Sequence, residues 1–421
     1  MTESVRFIHV ADLHLGAPVR GVCHAGPEWA ARLQRAIPEA FERVVDVALE
    51  READFMVVAG DVFDTSRPSY RDYLRFFEGL RRLDEAGIPV YLVAGNHDPF
   101  TLWGRGVELL PKSARMLGVG GPEFALFERD GEPLCLIGGR SYYNQTWPAD
   151  ESIAEGISRA AAEEAFGPRA ARAPLSVGVI HTGLDLDLSK APVDQGELLS
   201  SGIDYWACGH LHRFTVRPSA GDPRIVFPGC VQARDVRETG ERGCCLVELG
   251  SASPSVEFIP TSSVVFQQIE VDVGACQTLA DVVRLVQAEL FRENGKVHCD
   301  EMVVRVALVG ETALHEFLVR GEVTEDLRNH INNAYPSFLC DVITDLTRPA
   351  DEGALPTGTF HEVVGDIADE ERGREDVLVN YVQSELVKRG IAVPASLARQ
   401  VGAFNDRAER IVLDLLQGER L

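Results

Sequence analysis

Short apolar runs separated by amphipathic stretches set the pattern of the first two thirds of the chain. Runs that read as buried strands lie at residues 6–10, 55–59, 90–94, 134–137, 176–180, 205–208, 225–227, 244–249 and 256–259. Between the first three, residues 29–51 and 70–86 carry apolar positions three to four apart, the spacing of helices with one buried face. The order is α/β early and β-rich late, which predicts a sandwich of two sheets flanked by helices over residues 1–262.

The pattern restarts at residue 263. Ile269, Val271 and Val273 alternate as in a strand, and Leu279, Val282, Val283, Val286 and Leu290 follow helical spacing. A strand through Val304, Val306 and Leu308, a helix over 314–333 and a strand over 338–343 complete a small α/β domain, 263–349, that carries no catalytic cluster. Pro349, Gly353, Pro356 and Gly358 then read as a linker. In the remainder, 350–421, two helices are expected at 376–389 and 396–416, the second opened by Pro394 and a Ser396 cap. Leu397, Val401, Phe404, Ala408, Ile411 and Leu415 alternate four and three apart along it, a heptad seam suited to the protein's own body or to a partner's helices.

Composition narrows the class. With 421 residues, 45% hydrophobic and 25% charged, the chain has the make-up of a soluble globular protein of two or three domains. A formal net charge of -24 repels polyanions at long range, so a phosphate-bearing substrate must be held locally, by cations or metal ions. The nine cysteines contain no C-x-x-C pair, which argues against a zinc ribbon or redox dithiol and for reduced thiols in the cytoplasm. The early first strand leaves no room for a signal peptide, and no apolar run approaches the roughly 20 residues that span a bilayer, so no membrane partner is expected.

Five polar clusters follow strand ends, where open α/β sheets place their sites: Asp12-Leu13-His14, Gly60-Asp61, Gly95-Asn96-His97-Asp98, His181, and Gly209-His210-Leu211-His212. Residues two apart on an extended backbone point the same way, which would aim Asp12 and His14 at one ion. A lone histidine is more often a core residue than a ligand; five clusters in this order are not explained that way. Carboxylate, imidazole and amide oxygen without thiolate suit manganese or iron, with zinc possible. Asp12, His14, Asp61, Asn96, His181, His210 and His212 are too many for one open ion and suit two ions roughly 3.5–4 Å apart, with Asp61 as the shared carboxylate. If Asn96 is a ligand, its neighbour His97 faces the other way and is free to act on substrate, with Asp98 to orient its imidazole.

The order D-x-H, G-D-x-x-D, G-N-H-D, H, G-H-x-H resembles the calcineurin-like metallophosphoesterases. The strings from Phe7 to Gly16 and from Gly60 to Thr65 resemble the SbcD-type DNA repair exonucleases, especially their YhaO-like branch. The resemblance covers about residues 5–260, and the second domain is similar to that family's capping domain by position and pattern only. It implies one manganese on Asp12, His14, Asp61 and His212 and another on Asp61, Asn96, His181 and His210. It also implies that His97 serves the leaving oxygen or the transition state. Where some relatives carry a second active-site histidine, this chain has Asp64.

The expected function is manganese-dependent hydrolysis of DNA phosphodiesters, exonucleolytic with possible single-strand endonuclease activity, in double-strand-break repair with an SMC-like (SbcC-type) ATPase bound through the C-terminal helices. A homodimer could use residues 70–86 and 102–110. Only residues 112, 190, 296 and 388 are lysine, so arginines must make the phosphate contacts, with Arg20, Arg67, Arg71, Arg105, Arg140 and Arg213 as candidates. Two alternatives stand beside this: a phosphodiesterase for small or cyclic nucleotides, which fits the acidic charge, and a scaffold for an ATPase with vestigial chemistry.

Overall fold

The computed structural model of the protein describes residues 4–64, 69–148 and 150–350, with 379–380 and 383–384, which are helical. The expected linker beyond residue 350, the heptad seam and Arg67 lie outside the described residues. The chain divides into two compact units, Met1–Arg348 and Pro349–Leu421, and all five polar clusters lie in the first.

In chain order that unit runs β1 (Val5–Val10), α1 (Pro27–Glu50), β2 (Phe55–Ala59), α2 (Tyr70–Glu85), β3 (Val90–Val93), β4 (Ala114–Met116), β5 (Glu123–Arg129), β6 (Glu132–Arg140) and β7 (Leu175–His181). Then come β8 (Tyr205–Gly209), β9 (Thr215–Ser219), β10 (Asp222–Phe227), β11 (Gly243–Leu249) and β12 (Ser255–Pro260). Two six-stranded sheets form, in the orders β12-β11-β1-β2-β3-β4 and β5-β6-β7-β8-β10-β9. This is the expected sandwich. In these two sheets every strand that the apolar pattern does not predict, β4, β5 and β9, is a sheet edge. Such strands are short or half exposed, and β9 even carries Pro218, which an edge tolerates.

β2 is buried along its whole length because both its faces are covered. Phe55, Val57 and Ala59 point between the sheets toward Val177, Val179, Tyr205 and Ala207, while Met56 and Val58 meet Phe41, Val44 and Phe76 of α1 and α2. Phe7 and Phe55 stack at 4.7 Å in the inter-sheet layer. A strand so enclosed cannot slip in register without exposing a full set of apolar groups, so its C-terminal tip is a fixed point for chemistry.

The small sheet that follows is parallel: β13 (Val264–Asp272), β14 (Glu301–Val309) and Phe338–Asp345, backed by helices Leu279–Asn294 and Gly321–Ala334. The single helix expected over 314–333 is broken. His315–Leu318 and Gly321–Ala334 are separated at Arg320, whose backbone is extended. The small sheet belongs to the same compact unit as the sandwich. Leu33, Ala36, Ala233 and Val236 pack on Val264, Phe266, Val303 and Leu339, and buried Asp341 accepts hydrogen bonds from the amides of Cys23 (2.7 Å) and His24 (3.0 Å) and from Arg305 Nε (3.0 Å).

Candidate metal centre

All five polar clusters stand at the C-terminal ends of parallel strands. β1, β2 and β3 of one sheet deliver Asp12, His14, Asp61 and Asn96, and β7 and β8 of the other deliver His181, His210 and His212. The loop after β1 is pinned to the loop after β2 by Asp12 N to Gly60 O (3.1 Å), His14 N to Asp61 O (3.0 Å) and Leu15 N to Val62 O (2.9 Å).

The extended backbone expected to aim Asp12 and His14 the same way is not formed. Both have positive φ, 52° and 47°, as do Asp61 (53°) and His210 (106°). Each such residue costs about 1–3 kcal/mol and persists where surrounding structure imposes it. The approach is close enough to require glycine beside the ligands. A methyl group on Gly95 would lie 2.1 Å from Asp61 Oδ1, and one on Gly60, itself at φ 89°, would lie 2.6 Å from His181 Nδ1.

The donor atoms converge. Asp61 Oδ2 lies 3.7 Å from His14 Nε2 and 3.4 Å from His181 Nε2, between the two halves of the cluster. Asp12 Oδ1 is 3.9 Å from His14 Nε2, whose other neighbour is His212 Nε2 at 3.2 Å. Asn96 Oδ1 is 3.0 Å from His181 Nε2. His210 brings its backbone N within 3.0 Å of Asp12 Oδ2, and its ring lies 5.5 Å from that of His181.

Each of the four imidazoles has its remaining nitrogen against an oxygen. His14 Nδ1 is 3.2 Å from Asp64 Oδ1, His181 Nδ1 2.9 Å from Ala59 O, His210 Nε2 3.0 Å from Asp187 Oδ2, and His212 Nδ1 2.6 Å from Glu238 Oε1. For His181, His210 and His212 these are hydrogen bonds, the outer arrangement by which metal-ligating histidines are held in one tautomer, whereas His14 Nδ1 makes no hydrogen bond among the described residues. Nothing in the sequence pattern marks Asp187, in the loop after His181, or Glu238, in the loop before β11, because their pairing with His210 and His212 is set only by folding.

The electrostatics point the same way. Burial pushes the carboxyl of Asp12 up, and burial with the Arg234 charge pushes His14 well down. Burial and the charge of His181 lower His210. Burial opposes protonation of His212, but the Glu238 hydrogen bond and the Asp12 charge outweigh it and raise His212. Ionised Asp12 is therefore disfavoured without a cation, and a divalent ion would reverse that penalty. Carboxylates, imidazoles and an amide oxygen without thiolate fit two hard or borderline ions.

Asn96 and His97 diverge as expected, but through a bend rather than an extended segment. The His97 backbone N donates to Asp61 Oδ1 (2.9 Å), and its partly exposed ring lies 4.9 Å from that of His14. Its Nε2 takes part in no hydrogen bond among the described residues and is free to meet a substrate.

The expected pairing of Asp98 with the His97 imidazole is not formed. Asp98 is buried and its carboxylate accepts from the backbone amides of Asp61 (3.1 Å), Val62 (2.9 Å), Phe63 (3.3 Å) and Gly95 (3.0 Å). A carboxylate inside a ring of amides is satisfied there, and the bend turns it away from its neighbour's ring. Burial and the charge of Asp61 push its pKa well up. Asp64 stands beside His97 instead: its Oδ1 is 3.4 Å from His97 Nδ1, and the same oxygen pairs with Arg234. Asp98→Ala should thus act on the fold. Leaving several buried amides without an acceptor is expected to destabilise by about 3 kcal/mol or more, read from the urea midpoint. Unchanged stability with slowed chemistry would return Asp98 to a catalytic role.

Of the arginine candidates, Arg140 is withdrawn, since it pairs with Glu151 and lies 4.8 Å over the Trp147 ring. Arg20, Arg71 and Arg213 are exposed and form no ion pair among the described residues. Arg20 is tied by its backbone N to Arg234 O (2.7 Å), and Arg213 follows His212, which places both beside the centre. Neither Arg67 nor the side chain of Arg105 is among the parts of the structure described.

Two facing sheets with such a cluster at their shared end define a metal-dependent hydrolase. Residues 5–214 match the model of the calcineurin-like phosphoesterases, and 266–343 that of the metallophosphoesterase YhaO middle domain. The chain belongs to the calcineurin-like metallophosphoesterases. It is 29% identical over 310 residues, 72% of each chain, to the uncharacterized metallophosphoesterase YhaO of Bacillus subtilis. It is 30% identical over 274 residues, 64% of each chain, to the DNA double-strand break repair protein Mre11 of Aeropyrum pernix. To the Mre11 of Thermoplasma acidophilum it is 27% identical over 273 residues, 61% of this chain and 68% of the other. Among the described residues no helix is long and apolar enough to cross a membrane.

Proposed function

We propose that the protein is a manganese-dependent DNA nuclease of the cytoplasm, digesting ends and opening single strands in double-strand-break repair. The observation that carries it is the set of four imidazoles around Asp61, three of them, His181, His210 and His212, with one nitrogen hydrogen-bonded to an oxygen, beside a His97 Nε2 that makes no hydrogen bond among the described residues. When bound, two ions supply positive charge to both oxygens of an in-line phosphoryl displacement. Asp12, His14, Asp61 and His212 would hold one, and Asp61, Asn96, His181 and His210 the other. His97 is placed to give a proton to the leaving oxygen, while its Nδ1 hydrogen-bonds the backbone O of Asp64 (3.3 Å) and the Asp64 carboxylate pairs with Arg234.

Similarity to proteins named for DNA double-strand break repair favours DNA as substrate. Arg20 and Arg213 supply local positive charge in an otherwise acidic protein. The partner we propose is an SMC-like ATPase bound by the C-terminal residues, with a homodimer formed near Tyr70, Leu74 and Leu109, all exposed. The net charge of -24 favours a second reading, hydrolysis of small or cyclic nucleotides. End-labelled duplex and single-stranded DNA, with and without the ATPase, should be shortened with manganese present. Turnover of cyclic nucleotides with both DNAs left intact would decide for the second reading.

A further inference from the structure

Tyr142 lies in the segment after β6, next to the centre but outside the motifs. It is 1% exposed, and its ring stands edge-on to His181 at 5.8 Å and to Trp147 at 5.3 Å. Its backbone is fixed at both ends: N donates to Ala94 O (3.0 Å) and O accepts from Phe100 N (2.8 Å). Ala94 precedes the Gly95-Asn96-His97 bend and Phe100 comes after it, so the ring is held against the loop that carries Asn96 and His97.

Its hydroxyl is the anomaly. Tyr142 Oη is enclosed and has no hydrogen-bond partner among the described residues. A buried hydroxyl left without a partner is a cost that a phenylalanine of the same shape would avoid. Trp103 Nε1, also enclosed without a partner, belongs to a ring packed on Phe63 and Phe76 in the apolar core, whereas His14 Nδ1, likewise unpartnered, belongs to the centre itself. The acidic groups whose charge acts on the Tyr142 phenol are Asp61 and Asp187, one in the cluster and the other bonded to His210. The edge-on contact with His181 puts the side chain on the Asn96/His181/His210 side of the centre, and a phenol hydroxyl can donate to an oxyanion there.

We propose that the Tyr142 hydroxyl donates a hydrogen bond to a non-bridging oxygen of the bound phosphate, making it a substrate-contacting residue on the Asn96/His181/His210 side of the centre. The proposal rests on the phosphoesterase reading of that centre. A hydrogen bond from a neutral hydroxyl to a charged oxygen is worth about 1.5–3 kcal/mol, roughly 10- to 100-fold in affinity.

The test is Tyr142→Phe in the full chain, which keeps the ring and removes one oxygen. Manganese content, affinity for inorganic phosphate by calorimetry and thermal midpoint of the metal-free protein are measured beside the wild type. The expected result is phosphate binding weakened about 10- to 100-fold, manganese content unchanged and a metal-free midpoint equal or higher. With DNA or a chromogenic diester, KM should rise and the tyrosine should restore it. Unchanged phosphate affinity overturns the proposal. Lost manganese also overturns it, since the hydroxyl would then serve the ligands. A wild-type protein that binds manganese but neither binds phosphate nor hydrolyses any diester overturns the phosphoesterase reading, and the proposal with it.

Discussion

Asp61→Ala is expected to lose metal and to lower phosphodiester hydrolysis by more than about 10³-fold. Its carboxylate is set between the two halves of the cluster, with Oδ2 near His14 Nε2 on one side and His181 Nε2 on the other. Its Oδ1 also accepts from the His97 backbone, so the residue places the substrate-facing histidine as well. Removing it takes away the carboxylate proposed to be shared by both ions. Elemental analysis after gel filtration reads the metal, and circular dichroism checks that β2 still delivers the loop. A variant that keeps two ions per chain would show that Asp61 does not bridge.

His97→Ala is expected to slow turnover by roughly 10²- to 10⁴-fold with metal retained. The ring is partly exposed, its Nε2 is free, and its Nδ1 faces Asp64, so loss of the side chain removes a proton donor without touching a proposed ligand. Metal content equal to that of the wild type is the telling half of the measurement. Were the variant stripped of metal to the same degree as Asp61→Ala, His97 would be a ligand and the proton donor would have to be sought elsewhere.

The sequence is explicit about some of this architecture and silent about the rest. Buried strands such as β2 are legible because enclosure on both faces forces an unbroken apolar run. The edges β4, β5 and β9 are not, since a half-solvated strand obeys no single pattern. The ligand types are legible as motifs because each comes after a strand tip. How they meet is not: the convergence of Asp12 and His14 depends on positive φ and on amides donated across to Gly60 and Asp61, which are tertiary facts.

The reassignment of Asp98 has the same origin. Adjacency to His97 suggests a pair, but a buried carboxylate is placed by whatever donors surround it, and here those are four backbone amides. Asp64, Arg234, Asp187, Glu238 and Tyr142 enter the site only through folding. No spacing reveals their partners, not even those of Asp64, which lies inside one of the motifs.

The most direct test is the metal content of the wild-type protein, purified without chelator, loaded with manganese and desalted. Two equivalents per chain, with binding of both impaired in Asp61→Ala, is the result expected of a centre bridged by that carboxylate. A single equivalent that survives in Asp61→Ala would contradict it.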